Sequence, residues 1–323
     1  MRTKVSILIF FMLFAFIAHA EVRESDIILS TSPKYPSPNQ HVTATISTNA
    51  TDLNKANISW SIGGKEIISA IGKKTFIFDM GSIGESISIQ AKIDTVDGQS
   101  ITKNILSTPA EVDMLWEGDD SYVPPFYKGK TLVSEEGTFK VVAIPNMTTK
   151  YGHMTPENLS YAWTKDNSGQ PNDSGWGKNY LIFKNSFLDD KNVIEVTASD
   201  LSGDTSTVGK ITLSTTNPEI VFYKNDLKLG ILYNNTIGDG FNLDTGGATF
   251  IAEPYFFSPK NIDSPNLNFD WVINGSQTST PTPKNVLSIK PNPNESGTAK
   301  IRLTITNIKT LSQTLTKEFN VNF

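Results

Sequence analysis

The residues best suited to chemistry crowd into one stretch, Trp116 to Lys130. It carries four aromatic rings (Trp116, Tyr122, Phe126 and Tyr127), the adjacent prolines Pro124 and Pro125, and the acids Glu117, Asp119 and Asp120. Prolines stiffen a loop, and aromatics held out on a stiff loop can stack on sugars or anchor a protein partner. The competing reading is that these rings cap the bottom of a sandwich and pack against a neighbouring domain. A parallel segment, Tyr223 to Asn235, favours packing, because a packing device is expected to recur. The three acids invite calcium, but calcium takes about six to eight oxygens at fixed spacing, and no D-x-D-x-D-G loop occurs. Asp94 to Gly98 and Asp200 to Asp204 read as hairpin turns.

Catalysis finds little to work with. Asp189-Asp190 and Glu135-Glu136 are adjacent in sequence, so their side chains diverge; they read as solvated turn charges. Past residue 20 the only histidines are His41 and His153, and cysteine is absent. A Ser-His-Asp or Cys-His centre and a zinc site are therefore unexpected. No G-x-S-x-G, phosphate-binding loop or H-E-x-x-H is present. No catalytic residue, metal ligand or cofactor is expected. Eight Asn-x-Ser/Thr sequons occur. They follow from the richness in Asn, Ser and Thr, and matter only in a host that glycosylates.

The elements that must position these residues begin after an export signal. Arg2 and Lys4 precede an apolar run from Val5 to Ala18, and Ala18-His19-Ala20 has the small-x-small form of a cleavage site. The alternative is an uncleaved anchor, but the run is short of the roughly 20 residues a span requires. Cleavage after Ala20 takes the formal charge from −5 to −7, since the segment carries two bases and no acid. A mildly acidic chain has no electrostatic case for nucleic acid or an anionic membrane. Without cysteine an exported chain has no disulfide scaffold, so each domain must hold itself by core burial. Its 17 prolines and 22 glycines leave little room for long helices and suit short strands.

The chain repeats itself. Trp60, Trp163 and Trp271, spaced 103 and 108 residues apart, each sit in an alternating strand that runs into a turn. Upstream lie Val42 to Ile46, Val141 to Pro145 and Phe250 to Pro254, with central alanines 16, 20 and 19 residues before each tryptophan. Downstream lie Thr75 to Phe78, Tyr180 to Phe183 and Val286 to Ile289. A longer alternating strand closes each set: Ile87 to Ile93, Val193 to Ala198, and Ala299 to Ile305. Period-2 alternation marks half-buried strands, and Asp97-Gly98, Gly203-Asp204 and Asn274-Gly275 supply turns. About seven strands per hundred residues describe a two-sheet sandwich with the tryptophan in its core.

This order of features resembles the bacterial immunoglobulin-like and PKD-type superfamily, and Tyr161 to Asp166 is similar to the Y-x-W-x-x-D/G stretch of PKD domains. The Trp116-to-Lys130 and Ile220-to-Tyr233 stretches also resemble uncharacterised exported proteins of small-genome bacteria. The resemblance implies an all-β fold of three tandem immunoglobulin-like β-sandwiches and no catalytic residue. The expected layout is a signal peptide over 1–20 and domains over 21–109, 110–217 and 218–323, a rod joined by proline-containing linkers. The expected function is that of an exported structural or assembly protein at the cell surface, acting through protein–protein contacts with envelope or surface proteins. The alternative is an adhesin or carbohydrate-binding protein that takes a glycan on Trp116, Tyr122, Phe126 and Tyr127. Neither nucleic acid nor membrane insertion after cleavage is expected.

Overall fold

The computed structural model describes residues 22–149, 152–203, 205–292 and 295–323. The expected signal peptide lies outside them. The chain forms two compact units, Met1–Thr108 and Pro109–Phe323.

The first unit is a sandwich of two antiparallel sheets. One sheet runs Ile28–Ser32, His41–Ser47, Thr75–Asp79 in spatial order; the other runs Lys65–Ile71, Asn57–Ile62, Ile87–Asp94, Ser100–Ser107. His41–Ser47 shows why the chain folds this way. Val42, Ala44 and Ile46 are fully buried, while the residues between them face outward. The fourth strand pairs with the third instead of the fifth, the strand exchange that distinguishes this layout from the constant-type immunoglobulin sandwich.

The second unit holds two further sheet pairs, the last of them enlarged by extra strands, one of which, Gly240–Asn242, pairs in parallel with Thr314–Asn322. Tyr180–Lys184, Thr138–Asn146 and Glu111–Gly118 form one sheet. It faces a sheet ordered Ser168–Gly169, Ser160–Lys165, Lys191–Ser199, Ser206–Ser214. Next, Gly230–Ile237, Glu219–Asp226, Ala248–Tyr255 and Val286–Ile289 face Gly240–Asn242, Thr314–Asn322, Thr298–Asn307, Leu267–Ile273 and Ser276–Gln277. Each sheet pair encloses its own apolar cluster, and no cluster shares a residue with another.

The tryptophans sit where the repeat put them. Trp60, Trp163 and Trp271 are all but fully buried. Each indole N–H donates to a lysine carbonyl: Lys73 at 2.8 Å, Lys178 at 2.9 Å and Lys284 at 2.9 Å. A buried indole N–H without a partner costs about 1–3 kcal/mol, so this bond is part of what lets a tryptophan fill the layer between the sheets. The repeat extends further. Ile46, Ala143 and Ala252 donate their backbone N–H to the carbonyls of Lys74, Asn179 and Asn285, the residue after each of those lysines. These bonds fix which positions of the three sandwiches correspond.

Candidate partner-binding surface

The Trp116–Lys130 segment leaves the Glu111–Gly118 strand and crosses to the sandwich that follows. Trp116 is partly buried against Phe139, ring centroids 5.6 Å apart, and the Lys130 ammonium lies 3.9 Å from its centroid. A cation seated on an indole is itself a stabilising contact, and it occupies a face that a sugar would need. Asp120 ties its own sandwich to the next by hydrogen bonds. Its carboxylate accepts from the Thr138 N–H (2.8 Å), the Thr138 hydroxyl (3.0 Å) and, across the joint, the Ser258 hydroxyl (2.7 Å).

From there the backbone docks. Tyr122 N–H donates to Phe257 O and Phe256 N–H to Tyr122 O, both at 2.7 Å, a two-bond bridge of the kind strands exchange. The Tyr122 hydroxyl donates to the carboxylate of Glu253. Tyr233 donates to the other oxygen of Glu253 at 2.9 Å, and Tyr223 and Tyr255 bond each other beside them, also at 2.9 Å. Tyr127 packs edge-on against Tyr255 and Phe256, at 5.7 and 6.1 Å. Pro124 is buried, and the turn closes with Tyr127 N–H on Pro124 O. Phe126 alone points away: it is 90% exposed and has a positive φ of 66°.

The strap downstream completes the joint. Ser134, fully buried, donates to Phe256 O at 2.7 Å. The Glu136 carboxylate accepts from the N–H groups of Leu311 and Ser312 (2.5 and 3.0 Å) and from the Ser312 hydroxyl (3.1 Å). Gln313 donates to Glu135 O at 2.8 Å. Glu136 is thus a docking group, which corrects its reading as a solvated turn charge: a carboxylate facing two free amides in a loop is better bonded there than in water. The other acidic pair stays at the surface, with Asp189 ion-paired to Lys165 at 3.4 Å.

Glu253 is the most perturbed acid of the joint, 2% exposed and bonded by two tyrosine hydroxyls. Burial raises its carboxyl above the usual range, with the two tyrosine donors acting against that shift. The same burial, and the bond to Glu253, push the Tyr122 phenol far up. A perturbed acid in an open cleft would suggest catalysis. Here the carboxylate is buried and both of its oxygens are taken by the Tyr122 and Tyr233 hydroxyls.

The structure therefore brings Tyr122 and Tyr127 into a joint between two sandwiches, packs Trp116 against the core of its own sandwich and leaves Phe126 at the surface. Glu253, Tyr233 and Tyr255 were missed from sequence. The available signal was a charged residue inside the apolar strand Phe250 to Pro254. Trp176 and Tyr180, each about half exposed, were not singled out either.

No protein family matches the chain, and no curated protein does. Solved structures similar to it include fibronectin(III)-like modules of Clostridium thermocellum CbhA, at 12% identity over 59% of this chain and 94% of that one, TM-score 0.31. The three N-terminal domains of the bacteriophage RB49 outer capsid protein Hoc match at 10% identity over 92% and 97%, TM-score 0.27. Immunoglobulin domains 1–5 of Sidekick-1 match at 12% identity over 91% and 59%, TM-score 0.21. The fold class, all-β with immunoglobulin-like sandwiches, rests on the strand order described above.

Proposed function

We propose that this chain is an exported, non-catalytic structural or assembly protein of the cell surface, working through protein–protein contacts of three immunoglobulin-like modules, 21–109, 110–217 and 218–323. The observation that supports it is the fate of the aromatic loop: rings suited to holding a ligand are spent on fixing one sandwich to the next. A module pair stiffened in this way suits a spacer or scaffold. Partners are expected among envelope or surface proteins. Among the described residues no helix is long and apolar enough to cross a membrane.

The test is cell fractionation with cross-linking and mass spectrometry. Sedimentation with cells and cross-links to defined envelope proteins are expected. A protein cut after Ala20, free in the medium and uncross-linked, would overturn the proposal. One observation favours the adhesin or carbohydrate-binding alternative, the exposure of Phe126 at the loop apex. On that reading Phe126→Ala abolishes glycan or cell binding while the fold is kept; on the assembly reading it changes no glycan binding.

A further inference from the structure

The end of the third sandwich away from the joint carries a different chemistry. Glu219 pairs with Tyr255 beside the docked loop, and Asn225 pairs with Thr249 at the other end of the same two strands. At the usual rise per residue the two ends lie about 20 Å apart. At the far end the chain turns back through Leu227, Lys228 and Leu229, between Asp226 and its partner Gly230. The Asp226 carboxylate fixes this turn by accepting the N–H groups of Lys228 (2.9 Å) and Leu229 (3.2 Å). Gly230, at a φ of 76°, lets the chain re-enter the sheet. The bonded turn holds two leucines in water: Leu227 is fully exposed and Leu229 is 77% exposed.

A cavity of about 550 Å³ opens beside the turn. Lys224, Lys228 and Lys290 line it together with Thr249 and Ser288, and Asp226, already bonded to the turn, is the acid among its lining residues. Among the described residues none of these three lysines is ion-paired. Lys224 reaches toward the Phe241 ring, 5.9 Å from its centroid. Thr249 and Ser288 bond each other at 2.9 Å, which leaves one hydroxyl proton to donate outward. Single exposed leucines need no explanation. What sets this end apart is a rigid pair of them with a basic cavity alongside. The acidic average of the chain does not govern this end, because charge is screened beyond about 8–10 Å at physiological salt.

We propose that this end of the third sandwich rests on an anionic phospholipid surface. Leu227 and Leu229 enter the boundary between headgroups and acyl chains. Lys224, Lys228 and Lys290 take headgroup phosphates at the cavity, and the free hydroxyl proton of the Thr249–Ser288 pair goes to a phosphate oxygen. A soluble phosphate would use the lysines and leave the leucines in water, so the leucine pair points to lipid as the source. The contact is peripheral: two side chains enter the bilayer surface and the sandwich stays in water. It is a second surface, separate from the protein contacts proposed above, and does not depend on them.

The test is co-sedimentation of the full mature chain with vesicles of phosphatidylcholine alone or of equal parts phosphatidylcholine and phosphatidylglycerol. Binding is expected to the mixed vesicles only, and to weaken as salt is raised. A lysine near an anionic surface is worth about fivefold in partition, so Lys224→Gln, Lys228→Gln and Lys290→Gln together should lower it about a hundredfold. Leu227→Ser with Leu229→Ser should also lower it about a hundredfold, at tenfold or more for each leucine. All five side chains face solvent, and an unchanged melting transition of the second unit checks that both variants fold. No binding by the wild type to mixed vesicles at low salt would overturn the proposal, as would equal binding to phosphatidylcholine alone. Full binding by the leucine variant, or displacement of the wild type from vesicles by free glycerol phosphate, would overturn lipid as the source and make the cavity a site for soluble phosphate.

Discussion

Glu253 carries the most consequence per atom. Its carboxyl is raised by burial. For a raised group, the contribution to stability is fully present below the unfolded value of about 4.3 and is lost as pH rises through the folded value. Glu253→Gln should therefore gain on the wild type as pH climbs from about 4 to about 8, read as the difference between their melting temperatures. A constant difference would show that the joint does not bury this charge. Tyr122→Phe leaves one oxygen of the same carboxylate without its donor. It should cost the second unit about 2 kcal/mol in chemical denaturation at neutral pH.

At the scale of elements, the strands were legible because alternation is a local property of sequence and each sandwich repeats it. Ala44, Ala143 and Ala252 point inward as the alternation requires. The lysine carbonyls under each indole were not legible, since a backbone acceptor leaves no mark of its residue type. The faint signal was a lysine 13, 15 or 13 residues after each tryptophan, just ahead of the next strand. The aromatic loop was legible as a site without being assigned a partner. Its partner is set by Glu253, Tyr255 and Phe256, more than a hundred residues away, and long-range pairing is what a single sequence hides. Trp163→Phe should destabilise by about 1–3 kcal/mol, because it strips the donor from the Lys178 carbonyl while preserving most of the apolar volume. The loss belongs to the transition of the second unit in calorimetry.

The whole chain behaves, on this account, as two cooperative units. Trp60→Ala opens a cavity in the first unit and should cost about 3–5 kcal/mol there. The Pro109–Phe323 transition should stay in place. A shift of both transitions together would mean the units fold as one.

The aromatic loop joins one sandwich to the next through Tyr122, and the strap after it through Glu136. The direct test is differential scanning calorimetry of the mature chain carrying Tyr122→Ala with Glu136→Ala. The wild-type second unit should melt in a single transition, and the double variant should split it into two, one for each sandwich freed from the other. Two independent transitions already present in the wild type, or a variant indistinguishable from it, would contradict the joint and return the loop to the role of an open binding surface.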